Sequence, residues 1–126
     1  MPVTPGYPEE TVVMLSDALN AGNVDAAVGL FEPDAIFIAS GGGDMRGHSA
    51  IRQALDVLVG MKPKMNTEVT RGLQAEGVGL VLYEWSMEAT DAEGHSVSER
   101  GRGIDVVRRQ GDGRWLLAIK NPSGVD

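Results

Sequence analysis

SVSERGRGIDVVRRQGDGRWLLAIKN, residues 96–121, organises the reading of the whole chain. Two runs of β-forming residues flank Gln110-Gly111-Asp112-Gly113, whose Asp-Gly pair supplies the positive-φ positions of a tight hairpin turn. In the first arm Asp105 stands between Ile104 and Val106, so its carboxyl points to the sheet face opposite those two side chains. One face of this strand therefore carries chemistry.

Working outward, 126 residues suffice for one core and not for two, so a single domain over residues 1–126 is expected. Residues 1–8 hold three prolines and a glycine and read as an extended arm. The first ten residues lack a basic stretch followed by an apolar one, no apolar run approaches a membrane span, and a cytoplasmic protein without membrane contact is expected. The chain has no cysteine, which excludes disulfides, thiolate catalysis and cysteine-held zinc or iron–sulfur clusters. A formal charge of −7 speaks against binding a nucleic-acid backbone.

A helix is predicted from Glu9, with Val12, Val13, Leu15, Ser16 and Leu19 as its inward stripe, ending at Asn20-Ala21-Gly22. Asn23 caps a second helix, Val24 to Phe31, stopped by Pro33. A short strand, Ala35 to Ala39, leads to a loop with Gly41, Gly42 and Gly43; it lacks the Lys-Ser or Lys-Thr of a phosphate-binding loop and reads as a pocket-rim turn. A third helix starts at His48 or Ser49 and runs to Val59. Strands follow at Met65 to Leu73 and Val78 to Ala89, then the hairpin. The order α-α-β-α-β-β-β-β gives an α+β domain with helices on one side of a mainly antiparallel sheet.

Along Val78 to Ala89, Val81, Tyr83, Trp85 and Met87 share one face and are assigned inward. Leu80 and Leu82 lie on the other among Glu84, Ser86 and Glu88, too apolar to stay wet, so a homodimer through the sheet is expected.

Asp17 to Ala35 (DALNAGNVDAAVGLFEPDA), Arg46 to Leu55 (RGHSAIRQAL), VVRRQGDGRW and the late NPSG resemble the SnoaL-like, ketosteroid isomerase-like branch of the nuclear transport factor 2-like superfamily. The resemblance covers nearly the whole chain and implies a cone: a curved sheet wrapped around three N-terminal helices and a deep apolar cavity, usually dimeric through the sheet. Carried over position by position, the isomerase base falls on Ala39 and the oxyanion tyrosine on Leu15, while the second acid persists as Asp105. Such a site lacks a base and half of its oxyanion hole, so steroid isomerisation by that route is not expected. Related members have an acid before Asn-Pro where this chain has Lys120.

Individual residues leave alternatives open. Asp105 is a pocket acid or a strand acid paired with Arg100, Arg102 or Arg108, and its apolar neighbours favour the pocket. Poor solvation would keep it neutral and hydrogen-donating, the preferred reading, whereas Lys120 nearby would hold it ionised; strand parity alone does not say which way Lys120 faces. Tyr83 and Trp85 stack on a ligand or fill the cone. His48 is a capping or rim residue, His95 a solvated turn residue, and two histidines without i, i+4 spacing speak against a metal. Arg100-Gly-Arg-Gly103 is structural rather than an RNA-binding tract, and no serine sits in a Gly-x-Ser-x-Gly elbow.

The expected function is a small-molecule-binding domain whose apolar cavity is lined by Phe37, Val81, Tyr83, Trp85, Asp105 and Lys120 and takes a small hydrophobic molecule without a cofactor. The alternative is an isomerase, cyclase or dehydratase acting on a hydrophobic carbonyl compound, with Asp105 as its catalytic candidate. A third reading is a dimeric interaction module whose cavity is filled by its own side chains.

Overall fold

The computed structural model describes residues 6–39 and 43–124; most of the N-terminal arm and most of the glycine loop lie outside the described residues. Helix α1 spans Pro8–Asn20, α2 Val24–Val28 and α3 Gly47–Gly60. The strands are β1 Phe31–Phe37, β2 Met45–Arg46, β3 Lys64–Ala75, β4 Val78–Thr90, β5 Ser96–Arg109 and β6 Trp115–Lys120. They form one sheet in the order β2-β1-β6-β5-β4-β3, antiparallel except for β1 beside β6. None of the helices among these residues is long and apolar enough to cross a membrane.

Local chemistry accounts for the helices. Pro8 occupies the first turn of α1, where its missing N–H is no loss, and Glu9 and Glu10 face the positive end of the helix dipole. Thr11 sends its hydroxyl to the Trp115 carbonyl at 2.8 Å, satisfying a polar group on a buried face that also holds Val12, Leu15, Ser16 and Leu19. The Asn23 side chain accepts from Ala26 N–H at 3.0 Å and caps α2.

Three expectations need correction. Helix α2 stops at Val28, and Phe31 opens β1 instead: Leu117 N–H donates to the Leu30 carbonyl at 2.8 Å and Phe31 pairs with Leu117. Pairing with β6 outweighs the local helix pattern, and Pro33 falls in the irregular stretch between Phe31 and Ile36, where a missing N–H is tolerated. The β5–β6 turn is wider than a two-residue hairpin. Gln110 N–H donates to the Arg114 carbonyl at 2.7 Å, Gly113 has φ 89°, and the Asp112 carboxylate accepts from Arg114 N–H at 3.0 Å. Only Gly113 of the Asp-Gly pair takes a positive φ. The two-residue β2 was not foreseen and is too short to carry a periodic signal.

The inner face of the sheet packs Val81, Tyr83, Val107, Leu117 and Phe31 on the helices, as the strand parity required. Across the outer face the pairing places Leu73, Leu80, Val106, Ile119 and Ile36 in one apolar row, with Leu82 beside Ile104. Among the described residues no helix covers that row.

The pairing is interrupted in β3 between Val69 and Arg71 and again in β6, and the second interruption shapes the site. Val107 lies opposite Leu117 but its neighbour Val106 lies opposite Ile119, so β6 contains one extra residue there. This bulge reverses the alternation, and Leu117 and Lys120, three residues apart, both turn toward the helices.

Candidate functional site

A cavity of about 430 Å³ opens between α1, the end of α3 and the inner face of the sheet, under the turn that follows β6. Its wall is apolar over Leu15, Leu19, Phe37, Leu58, Met65, Met87 and Trp85. Phe37, Tyr83, Trp85 and Lys120, all anticipated from sequence, line it. Val81 and Asp105 do not: both are 0% exposed, Val81 inside the core and Asp105 in a layer beneath Tyr83 and Lys120.

That buried layer is a closed hydrogen-bond cluster. Lys120 Nζ donates to Asp105 Oδ2 at 2.8 Å and to the Tyr83 hydroxyl oxygen at 2.9 Å, and lies 4.5 Å from the Tyr83 ring centre. The Tyr83 hydroxyl donates to Asp105 Oδ1 at 2.9 Å, and Asn121 N–H donates to the same oxygen at 2.9 Å. Three donors converge on the carboxyl of Asp105, the pattern an ionised carboxylate satisfies and a neutral acid does not. The expectation of a neutral, hydrogen-donating Asp105 is therefore replaced by an ion pair with Lys120. Burial, reinforced by the adjacent Asp105 charge and hydrogen bond, raises the Tyr83 pKa far above its ordinary value, so Tyr83 serves as a neutral phenol. Among the described residues no buried side-chain polar atom is left without a partner.

Two glycines make room for the aromatic wall. A Cβ on Gly101 would come within 3.0 Å of Trp85 Nε1, and one on Gly103 within 2.1 Å of Tyr83 Cζ. Both rings rest directly on the β5 backbone, which gives Arg100-Gly-Arg-Gly103 its structural role. Trp85 Nε1 donates to the Pro122 carbonyl at 2.7 Å, tying the C-terminal turn across the cavity, and Asn121 joins that turn to Asp105.

Several contributors escaped the sequence reading. Ser16 and Thr67 share a hydroxyl hydrogen bond in the wall; Glu99 and Arg100 stand at the mouth; Pro122 and Ser123 form part of the roof. Glu99 was legible in principle, since it keeps the inward parity of Asp105, but the roof and the hydroxyl pair depend on contacts across 37 and 51 residues. Leu15 does line the cavity. The reading of His48 as a capping or rim residue is refined: its ring Nε2 donates to the Phe31 carbonyl at 2.8 Å, fastening α3 to β1.

Two other places bring polar groups together. A wider hollow of about 900 Å³ beyond α1 has Glu9, Glu10, Asp17 and Arg114 around it but no buried polar side chain. Asp91, Glu93 and His95 approach one another in the β4–β5 turn. There the Asp91 carboxylate accepts the backbone N–H groups of Glu93 and His95 at 3.0 and 2.8 Å, the bonding of a turn.

Residues 12–118 match the SnoaL-like domain family. A ketosteroid isomerase-like protein from Erwinia carotovora atroseptica superposes with a TM-score of 0.82 at 16% identity, over 94% of this chain and 93% of that one. A nuclear transport factor 2-like superfamily protein from Salmonella enterica serovar Typhimurium gives 0.77 at 18%, over 91% and 86%. A protein of the same kind from Novosphingobium aromaticivorans gives 0.76 at 14%, over 93% and 79%. No curated protein matches the chain. At these identities the likeness is one of fold.

Proposed function

Because the chain belongs to the SnoaL-like domain family and has the nuclear transport factor 2-like fold, we propose that it binds a small, mainly apolar molecule in the cavity between α1 and the sheet. One observation carries this reading. A largely apolar wall encloses a buried polar cluster, Lys120–Tyr83–Asp105, two members of which face the hollow. The volume is within the about 300–1,000 Å³ of ordinary ligand pockets. Trp85 lies in the wall and reports on occupancy. Titration with ring compounds bearing one oxygen should change its fluorescence saturably, and Trp85→Phe should abolish the change; a native protein with no response to such a series would remove the proposal.

A second reading, an isomerase-, cyclase- or dehydratase-type enzyme, is supported by the same cluster, since a lysine N–H beside a neutral phenol polarises a carbonyl. Glu99 is the one carboxylate among the described lining residues and the candidate base. Ala39 and Leu15 stand where the steroid isomerase base and oxyanion donor would be, so pure protein should leave a Δ5-3-ketosteroid unconverted; turnover would show that the groups have been relocated.

The apolar row on the outer sheet face supports a homodimer formed by that face, with Leu73 still 42% exposed in the single chain.

A further inference from the structure

Resting on the cavity reading above, we propose that the cavity selects ligands whose inner polar group is an uncharged hydrogen-bond acceptor, and rejects carboxylates although the group that meets them is a lysine. An ammonium carries three N–H bonds. In Lys120 one goes to Asp105 Oδ2 and one to the Tyr83 oxygen, which leaves one, and the Lys120 side chain, 10% exposed, lines the cavity. The Tyr83 hydrogen is committed to Asp105, and Asp105 is sealed at 0% exposure. The inner wall thus offers a hydrogen to share and nothing to accept one from Lys120's side.

Charge decides the rest. Lys120 and Asp105 are opposite charges 2.8 Å apart, so a ligand meets a pair that is already neutral. A carboxylate placed on Lys120 would add a third, uncompensated charge among Leu15, Phe37 and Met65, apolar side chains that cannot replace its lost hydration. An uncharged oxygen accepts the free N–H without that penalty. The mouth does not reverse this preference: it holds one acid, Glu99, and one base, Arg100, whose formal charges cancel, and Arg102 lies 3.6 Å from Glu84. Asp105 is therefore a specificity-determining residue that touches no ligand. It converts a lysine from a receptor for acids into one for neutral acceptors.

The test is a titration with three compounds on one ring body: tetralin, tetralone and tetralin carboxylate. The native protein should bind the ketone about tenfold more tightly than the hydrocarbon and the carboxylate most weakly of the three. Asp105→Asn keeps an acceptor for Tyr83 and Asn121 but uncovers the ammonium; the carboxylate should then bind best and raise the melting temperature of that variant. In Asp105→Asn/Lys120→Met both preferences should vanish, and this uncharged pair serves if the single variant fails to fold. Native protein that takes the carboxylate as readily as the ketone, or an unchanged order in Asp105→Asn, overturns the inference while leaving the cavity reading intact. Native protein that binds none of the three removes the cavity reading and the inference with it.

Discussion

Lys120 and Asp105 meet at 2.8 Å because β6 contains one residue more than β5 between Leu117 and Ile119. Without that bulge the lysine would point to the outer face with Ile119's neighbours, and Asp105 would be a buried carboxylate with only Tyr83 and Asn121 for company. The ion pair follows from this one irregularity.

Breaking the pair from one side should be costly. Asp105→Asn or Lys120→Met leaves a buried charge without its counterion, and each should lower unfolding free energy by about 3–5 kcal/mol. The double variant should lose clearly less than the sum of the singles. Urea denaturation of the four proteins checks this, and simple additivity would mean that the two groups do not act together.

Gly103→Ala should be felt through Tyr83. The new Cβ would sit 2.1 Å from Tyr83 Cζ, so the ring must move and its bond to Asp105 must lengthen, at a cost of about 1–3 kcal/mol. Gly111→Ala, with nothing within 4 Å of its Cβ, is the matched control and should melt like the native protein. Equal melts for the two variants would contradict the close packing of Tyr83 on β5.

Tyr83 also predicts the alkaline limb of stability. In the unfolded chain it ionises near the ordinary tyrosine value of about 10. In the fold, burial and the Asp105 charge hold the proton to higher pH. The folded state therefore binds more protons above that value, and stability present below pH of about 10 is lost as pH rises, by up to about 1.4 kcal/mol per unit from this group. Tyr83→Phe should flatten that limb, measured by urea midpoints from pH 8 to 11; an identical slope would exclude the mechanism.

Association should depend on the outer face. Leu82→Glu puts a charge beside Ile104 next to the apolar row and should shift the protein toward monomer at micromolar concentration by light scattering. A native protein that is already monomeric there would show the face to be uncovered.

Much of the fold was legible in sequence because it rests on local rules. Alternation along β4 assigned Val81, Tyr83 and Met87 to the core correctly, and the helical stripe did the same for Val12, Leu15, Ser16 and Leu19 of α1, whereas Val13, assigned to it as well, is exposed. Phe31 was misread because its pairing with Leu117, far away in sequence, outweighs a weak helical signal.

The site divided along the same line. Sequence alone determined that an acid, Asp105, would be turned inward from a strand bearing apolar neighbours, and that Tyr83 and Trp85 would share that side, because a period of two is built into an extended backbone. Only the tertiary structure decided that Asp105 would be covered rather than presented, and that Lys120 would cover it. A bulge is a mismatch between two paired strands; it exists only when both are side by side, and neither strand's own residues record it.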